Sequence, residues 1–179
     1  MFSRLMNKQF FVVLLVLLLQ VSSCTSSKTI QYENIPLQRA QIELAEAQLL
    51  DIGILIFDPN LPKEEQELIF PEVRKAEARY MPYHLKTTLE DTGFWGGIWV
   101  LPEKSEAMDL IVSGRVEISN GLKVAVRIGV WDITGREWIN KVYETTVPQS
   151  AYSKRRDHTQ DPYQNLYNKI SNDLLEIKN

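Results

Sequence analysis

Between residues 110 and 147 the sequence alternates with a period that only a β-sheet can use. Leu110, Val112, Gly114, Val116 and Ile118 are apolar or small, and Ser113, Arg115 and Glu117 intervene. Successive side chains of a strand point to opposite faces, so this period predicts one buried face. Asn120-Gly121 follows, a strong hairpin signal because both positions tolerate positive φ. Leu122, Val124, Val126, Ile128 and Val130 then repeat the pattern against Lys123, Arg127 and Trp131. Asp132-Ile133-Thr134-Gly135 makes a second turn, and Arg136 to Val147 returns as a third strand. The segment is an antiparallel meander with one buried face.

The remaining elements are shorter or helical. Ile52 to Phe57 (IGILIF) is apolar at every position, which predicts a central strand covered on both sides. Before it, Asn34 caps a helix from about Pro36, with Leu37, Ala40, Leu44 and Ala47 at helical spacing. After it, Asp58 to Pro62 is a turn leading into a helical stretch over 63–92, which Pro71 and Pro82 divide into two or three pieces. Leu85 and Leu89 share a face there, and Gly93 is the C-cap. Phe94 to Leu101 reads as a strand whose Gly96-Gly97 marks a bulge or a close backbone approach. Residues 148–161 form a long polar loop, and Asp161 caps a last helix striped by Tyr163, Leu166, Ile170, Leu174 and Ile177. The order α-β-α-α-β-β-β-β-α predicts an α+β fold: a mixed sheet ending in an antiparallel meander, with helices packed on it.

The first 24 residues obey different rules. Arg4 and Lys8 precede an unbroken apolar run from Phe10 to Leu19, shorter than the roughly 20 residues a membrane helix needs. A basic start, a short apolar core and small residues at the exit mark a secretory signal. Val21-Ser22-Ser23-Cys24 resembles the lipobox of bacterial lipoproteins, and Cys24 is the one cysteine in the chain. The resemblance implies cleavage before Cys24, diacylglycerol on its sulfur and an acyl group on the new amine. Two or more acyl chains anchor a protein stably, whereas one does not. Thr25 stands where the lipoprotein sorting rule places Asp for inner-membrane retention, so the resemblance implies the periplasmic face of the outer membrane. The chain thus divides into a signal peptide (1–23), a lipidated tether (24–33) and a single α+β domain (34–179). Residues 25–33 reach roughly 30 Å when extended.

The domain invites a second comparison. The I-x-I-x-F strand, the strand ending near Pro102, DLIVSGRVEI and the hairpin ending in D-x-TGR lie within residues 51–147. Together they resemble the small α/β domain of the curli-secretion lipoprotein, of lipoprotein activators of penicillin-binding proteins and of the Tol-system propeller protein. No amphipathic segment is long enough for the membrane strands of the pore-forming members. The whole chain also resembles uncharacterised Gram-negative lipoproteins.

The residues offer little chemistry. His84 and His158 are the only histidines, and neither has a second ligand at metal spacing, so no metal or other cofactor is expected. No G-x-S-x-G occurs, Ser113-Gly114 sits inside a strand, and Gly93, Gly96 and Gly97 lack the Lys of a phosphate loop. The carboxylates at 63–67 and 72–77 alternate with Lys63, Arg74, Lys75 and Arg79, as on a solvated helix face. Formal net charge is −3, and losing Arg4 and Lys8 with the signal leaves −5, which argues against nucleic acid as a partner. Lys154-Arg155-Arg156 is the sharpest basic cluster, suited to lipid head groups or an acidic partner, or else simply solvated. Of Trp95, Trp99, Trp131 and Trp138, Trp131 shares the polar side of its strand and is the best placed for a partner contact. The expectation is a lipid-anchored, non-enzymatic interaction or assembly module of the cell envelope with a protein partner. A binder of a small molecule or glycan, with the Trp95–Trp99 strand lining a cleft, and an undetected hydrolase are the alternatives.

Overall fold

The structure, a computed structural model, describes residues 34–61, 71–147 and 161–179. The meander is present as β3 (Leu110–Ser119), β4 (Lys123–Asp132) and β5 (Glu137–Thr146), each antiparallel to the next. β1 (Ile52–Leu55) runs parallel to β3 on one side and to β2 (Ile98–Leu101) on the other. The five-stranded mixed sheet has the order β2-β1-β3-β4-β5. Helices α1 (Pro71–Glu90) and α2 (Gln164–Lys178) both pack on one face of it. The fold is α+β, as the alternation predicts.

The core lies between that face and the helices. Val112, Val116, Val124, Val126, Ile128 and Val130 meet Met81, Leu85 and Leu89 of α1 and Leu166, Ile170 and Leu174 of α2. Each of these side chains is at most 2 % exposed, and fully burying one is worth about 1.5–3 kcal/mol. β1 is central, but it is not covered by a layer on both sides. Its second face is filled locally: Leu101, Met108 and Ile111 close over Gly53, where a Cβ would lie 2.7 Å from Leu101 Cδ1.

Several expectations need correction. No helix forms at 36–47. The chain runs irregularly there, with a 3-10 turn at Glu46–Gln48, and no residue from Asn34 to Leu50 is buried. Leu37, Ala40, Leu44 and Ala47 have helical spacing but no core to face, and periodicity without burial does not hold a helix. Pro82 does not divide α1, which is continuous through it. Proline withholds the amide that the carbonyl four residues earlier would accept. That carbonyl, on Ala78, accepts instead from the Phe57 amide at 3.1 Å, so the defect is repaired from the end of β1. What precedes Pro71 lies outside the described residues. Arg74 is not on a solvated face. It is 4 % exposed and donates to the Val116 carbonyl at 2.9 Å.

The alternation also fails at one point of β3. A bulge between Val116 and Ile118 reverses its parity. Ile118 turns outward at 39 % exposure, and Ser119 turns inward to donate to Glu77 Oε1 at 2.7 Å. The hairpin at Asn120-Gly121 is not a two-residue turn. Only Gly121 takes positive φ (79°), while the Asn120 carboxamide accepts from the amides of Leu122 and Lys123. Leu122 is consequently exposed. The strand expected from Phe94 starts only at Ile98, because Gly96 and Gly97 are held against Leu50 and Asp51. α2 starts at Gln164 after a turn in which Asp161 accepts the Tyr163 amide, and Ile177 falls off its buried stripe.

Two substitutions check this account. Pro82→Ala returns a competing amide to the Ala78 carbonyl. The Phe57 amide should then exchange faster, by an amount equivalent to on the order of 1 kcal/mol, with helical circular dichroism unchanged. Gly114→Ala drives a methyl into Phe57, whose Cδ1 would be 2.5 Å from the new Cβ. Denaturant unfolding should show a loss of about 1–3 kcal/mol.

Candidate functional site

The face of the sheet opposite the helices carries a cleft of about 640 Å³ at one end. Its floor is the cross-strand pair Ile111 and Trp131, with Met108 beside them. One wall is the β2–β3 connection, through Lys104, Ser105 and Glu106, and the other is the β4–β5 turn, through Asp132, Ile133 and Gly135. The walls are tied at their base, where the Ile133 amide donates to the Asp109 carbonyl at 3.1 Å. The cleft is therefore built between fixed loops.

Trp131 lies flat because of its neighbour two residues back. Gly129 is on the same face, and any Cβ there would run into the indole ring. One side of the ring covers the Gly129 backbone and the other contributes to the cleft floor, with Lys104 Nζ 5.6 Å from the ring centroid. This is the distance range of a cation–π contact.

Asp132 shapes the second wall. Its Oδ1 accepts from the Thr134 hydroxyl at 2.6 Å and from the amides of Thr134 and Arg136, and its Oδ2 accepts from Trp138 Nε1 at 3.0 Å. Trp138 reaches it because a second irregularity, between Val130 and Trp131, leaves Trp138 without a cross-strand partner on β4. The Thr134 hydroxyl, then the Trp138 indole, bring the Asp132 pKa from 3.8 down to about 2. Asp132 is thus the carboxylate that forms the turn, held by neutral donors, and Lys104 and Glu106 are the other charged side chains at the cleft; none of the three has an ion-pair partner among the described residues.

Of the residues singled out in the sequence, Trp131 is placed in this cleft. Val21, Ser22, Ser23, Cys24, Lys154, Arg155 and Arg156 lie outside the described residues, as does His158. Trp95 and Trp99 do not line the cleft. Trp95 is 6 % exposed, with Lys178 Nζ 4.9 Å from its ring, and Trp99 is 44 % exposed and lies across Gly97. Lys104, Glu106 and Met108 were missed because residues 102–109 have no period to read. The legible signal was Gly129, a glycine two residues before a tryptophan in an otherwise regular strand.

His84 belongs to a separate cluster between the helices. Its ring packs on Tyr80 and Tyr167, and Nδ1 lies 3.4 Å from Asp161 Oδ2. Tyr167 is 1 % exposed, its hydroxyl has no partner among the described residues, and burial, with Asp161 nearby, raises its pKa well above the usual tyrosine value. Among the described residues no group of three His, Cys, Asp or Glu is placed to hold a metal, and no helix is long and apolar enough to cross a membrane.

Comparison with known proteins places the chain in no described group. No family model matches it, and no curated protein does. Among solved structures it is similar to PelC from Paraburkholderia phytofirmans, determined as a dodecamer, with 12 % identity, a TM-score of 0.46 and coverage of 80 % of this chain and 96 % of that one. It is also similar to the hypothetical protein CT253 from Chlamydia trachomatis, with 10 % identity, a TM-score of 0.38 and coverage of 70 % and 93 %. At these values neither similarity bears on function.

The Asp132 turn makes a pH-dependent prediction. Its folded pKa lies below the ordinary value of 3.8, so its ionised form stabilises the fold above about pH 4, and that contribution is lost as pH falls through about 2. In Asp132→Asn the decline of melting temperature over this interval should be shallower than in the parent protein. An unchanged acid limb would mean that the turn bonds contribute nothing.

Proposed function

We propose that the protein is a lipid-anchored, non-enzymatic interaction or assembly module of the bacterial cell envelope. In this reading Cys24 carries the lipid, the periplasmic face of the outer membrane is the location, and an envelope protein binds the sheet face around Trp131. The observation that carries the contact surface is Trp131 itself: a half-buried indole, laid flat by Gly129, on the floor of a cleft with mixed polar walls. Aromatic side chains in concave, partly desolvated sites dominate binding energy at protein interfaces. Among the described residues, no arrangement of nucleophile, base and oxyanion donors favours a catalytic reading over this one.

The cleft also favours a second reading, a small molecule or glycan bound on the Trp131 ring. Its volume falls within the roughly 300–1,000 Å³ of ligand sites, and an aromatic floor with Lys104, Ser105 and Glu106 at the wall suits a ligand with one apolar face. Under this reading the ligand site is at Trp131 and not on the Trp95–Trp99 strand.

A photo-crosslinking residue in place of Ile133, on the cleft wall, separates the two. The first reading expects one discrete protein adduct in cells, lost when Trp131→Ala is added and absent with the crosslinker at the distant exposed Ile42. Saturable quenching of tryptophan emission by envelope oligosaccharides, without an adduct, would replace it with the second. Cys24→Ser should abolish lipid labelling and membrane fractionation. A Cys24→Ser chain that stays in the membrane fraction with its signal removed would refute the anchor.

A further inference from the structure

Residues 34–49 are attached to the domain by side chains of α2, not by a strand or a helix of their own. The Ile35 amide donates to Asn165 Oδ1 at 3.0 Å, and Asn168 Nδ2 donates to the Ile35 carbonyl at 2.7 Å. The Gln38 amide donates to Asn172 Oδ1 at 3.1 Å, and Asn172 Nδ2 donates to the Pro36 carbonyl at 3.0 Å. Positions 165, 168 and 172 are spaced to share one face of the helix. The Ala40 amide adds one bond to the Thr92 carbonyl at 2.7 Å. These contacts read backbone, and no side chain of the segment enters the core.

The attachment changes character at Leu50. Leu50 packs against the core, and its carbonyl accepts the Gly96 amide at 3.0 Å. Asp51 accepts the Gly97 amide at 2.7 Å and donates its own amide to Asp109 Oδ2 at 2.8 Å. Beyond it, Ile52 and Ile54 are fully buried. A segment bound by a few hydrogen bonds, part-buried at Asn165 and Asn168 and exposed at Asn172, adjoins one locked into the sheet.

We infer that residues 34–49 are a releasable strap, which peels from the Asn165, Asn168 and Asn172 face of α2 while the sheet and both helices stay folded. No side chain of the strap belongs to the core cluster, and on release water replaces the lost bonds on both the strap and the asparagines, so this opening belongs to the low end of local unfolding energies. Its use rests on the lipid-anchor reading. With the strap docked, the leash from Cys24 is the nine residues 25–33, whose extended limit is roughly 30 Å; with it released, the limit for residues 25–49 is roughly 85 Å. The strap thereby gives the domain two working distances from the lipid surface.

Hydrogen exchange on the full-length protein purified from membranes tests this. The amides of Ile35, Gln38 and Ala40 should exchange about 100-fold or more faster than those of Ile54 and Val126. Asn172→Ala, at a partly exposed position, should speed Gln38 about 10-fold further and leave the sheet amides unchanged. Gln38→Pro removes the Gln38–Asn172 bond from the strap side without touching α2, and should likewise speed Ile35 and Ala40 with the sheet amides unchanged. Strap amides that exchange only together with the sheet, in the parent and both variants, would overturn the inference. The intact mass of the same sample separates the two claims. A chain without lipid on Cys24 would overturn the leash while leaving the measured release of the strap in place.

Discussion

Register between β3 and β4 is the constraint on which the rest of the molecule depends. Val112 opposite Val130 and Val116 opposite Val126 put one set of side chains toward the helices. A slip of one residue would send that whole set outward, because the period of a strand is two. The same register pairs Ile111 with Trp131 on the other face, so core and cleft floor are fixed by a single choice. The bulge at 116–118 limits the choice to part of the hairpin. Past it the inward position holds Ser119, which bonds Glu77, and the apolar Ile118 is left at the surface.

The helical layer is fastened to this sheet by groups that local rules would call defects. Pro82 leaves a carbonyl open inside α1, and the Phe57 amide, just past the end of β1, fills it. Arg74 is a buried cation, and the carbonyl of Val116, at the bulge, receives it. An unpaired buried carbonyl costs about 1–3 kcal/mol, so each pairing discriminates against any helix position that fails to make it. Apolar contacts bring α1 onto the sheet, and these two polar bonds set where along the strands it stops.

Legibility followed the range of the interaction. The strands of the meander and the Leu85–Leu89 face were readable because a neighbour two or four residues away carries the signal. Pro82 reads as a break because the compensating donor is 25 positions earlier in the chain, at Phe57. The helix expected at 36–47 fails for a similar reason: the backbone of 35–38 is claimed by asparagines 130 or more positions away, at 165, 168 and 172. At the cleft, Trp131 was legible from its place on the polar side of β4. Lys104, Glu106 and Met108 were not, since their position depends on where the aperiodic 102–109 connection crosses the sheet face. The Val21-Ser22-Ser23-Cys24 motif is local and is legible without any fold.

The strand order also orders events in time. β1 is the first strand in the chain, yet it sits between β2 and β3, and both of its edges pair with strands that come later. Until residues 98–112 are available, β1 has no strand to pair with. The meander, whose contacts are local, can form by itself, but β1 must wait and then insert between partners far along the sequence. The sheet of such a chain closes only once residues 98–112 stand on both sides of its first strand.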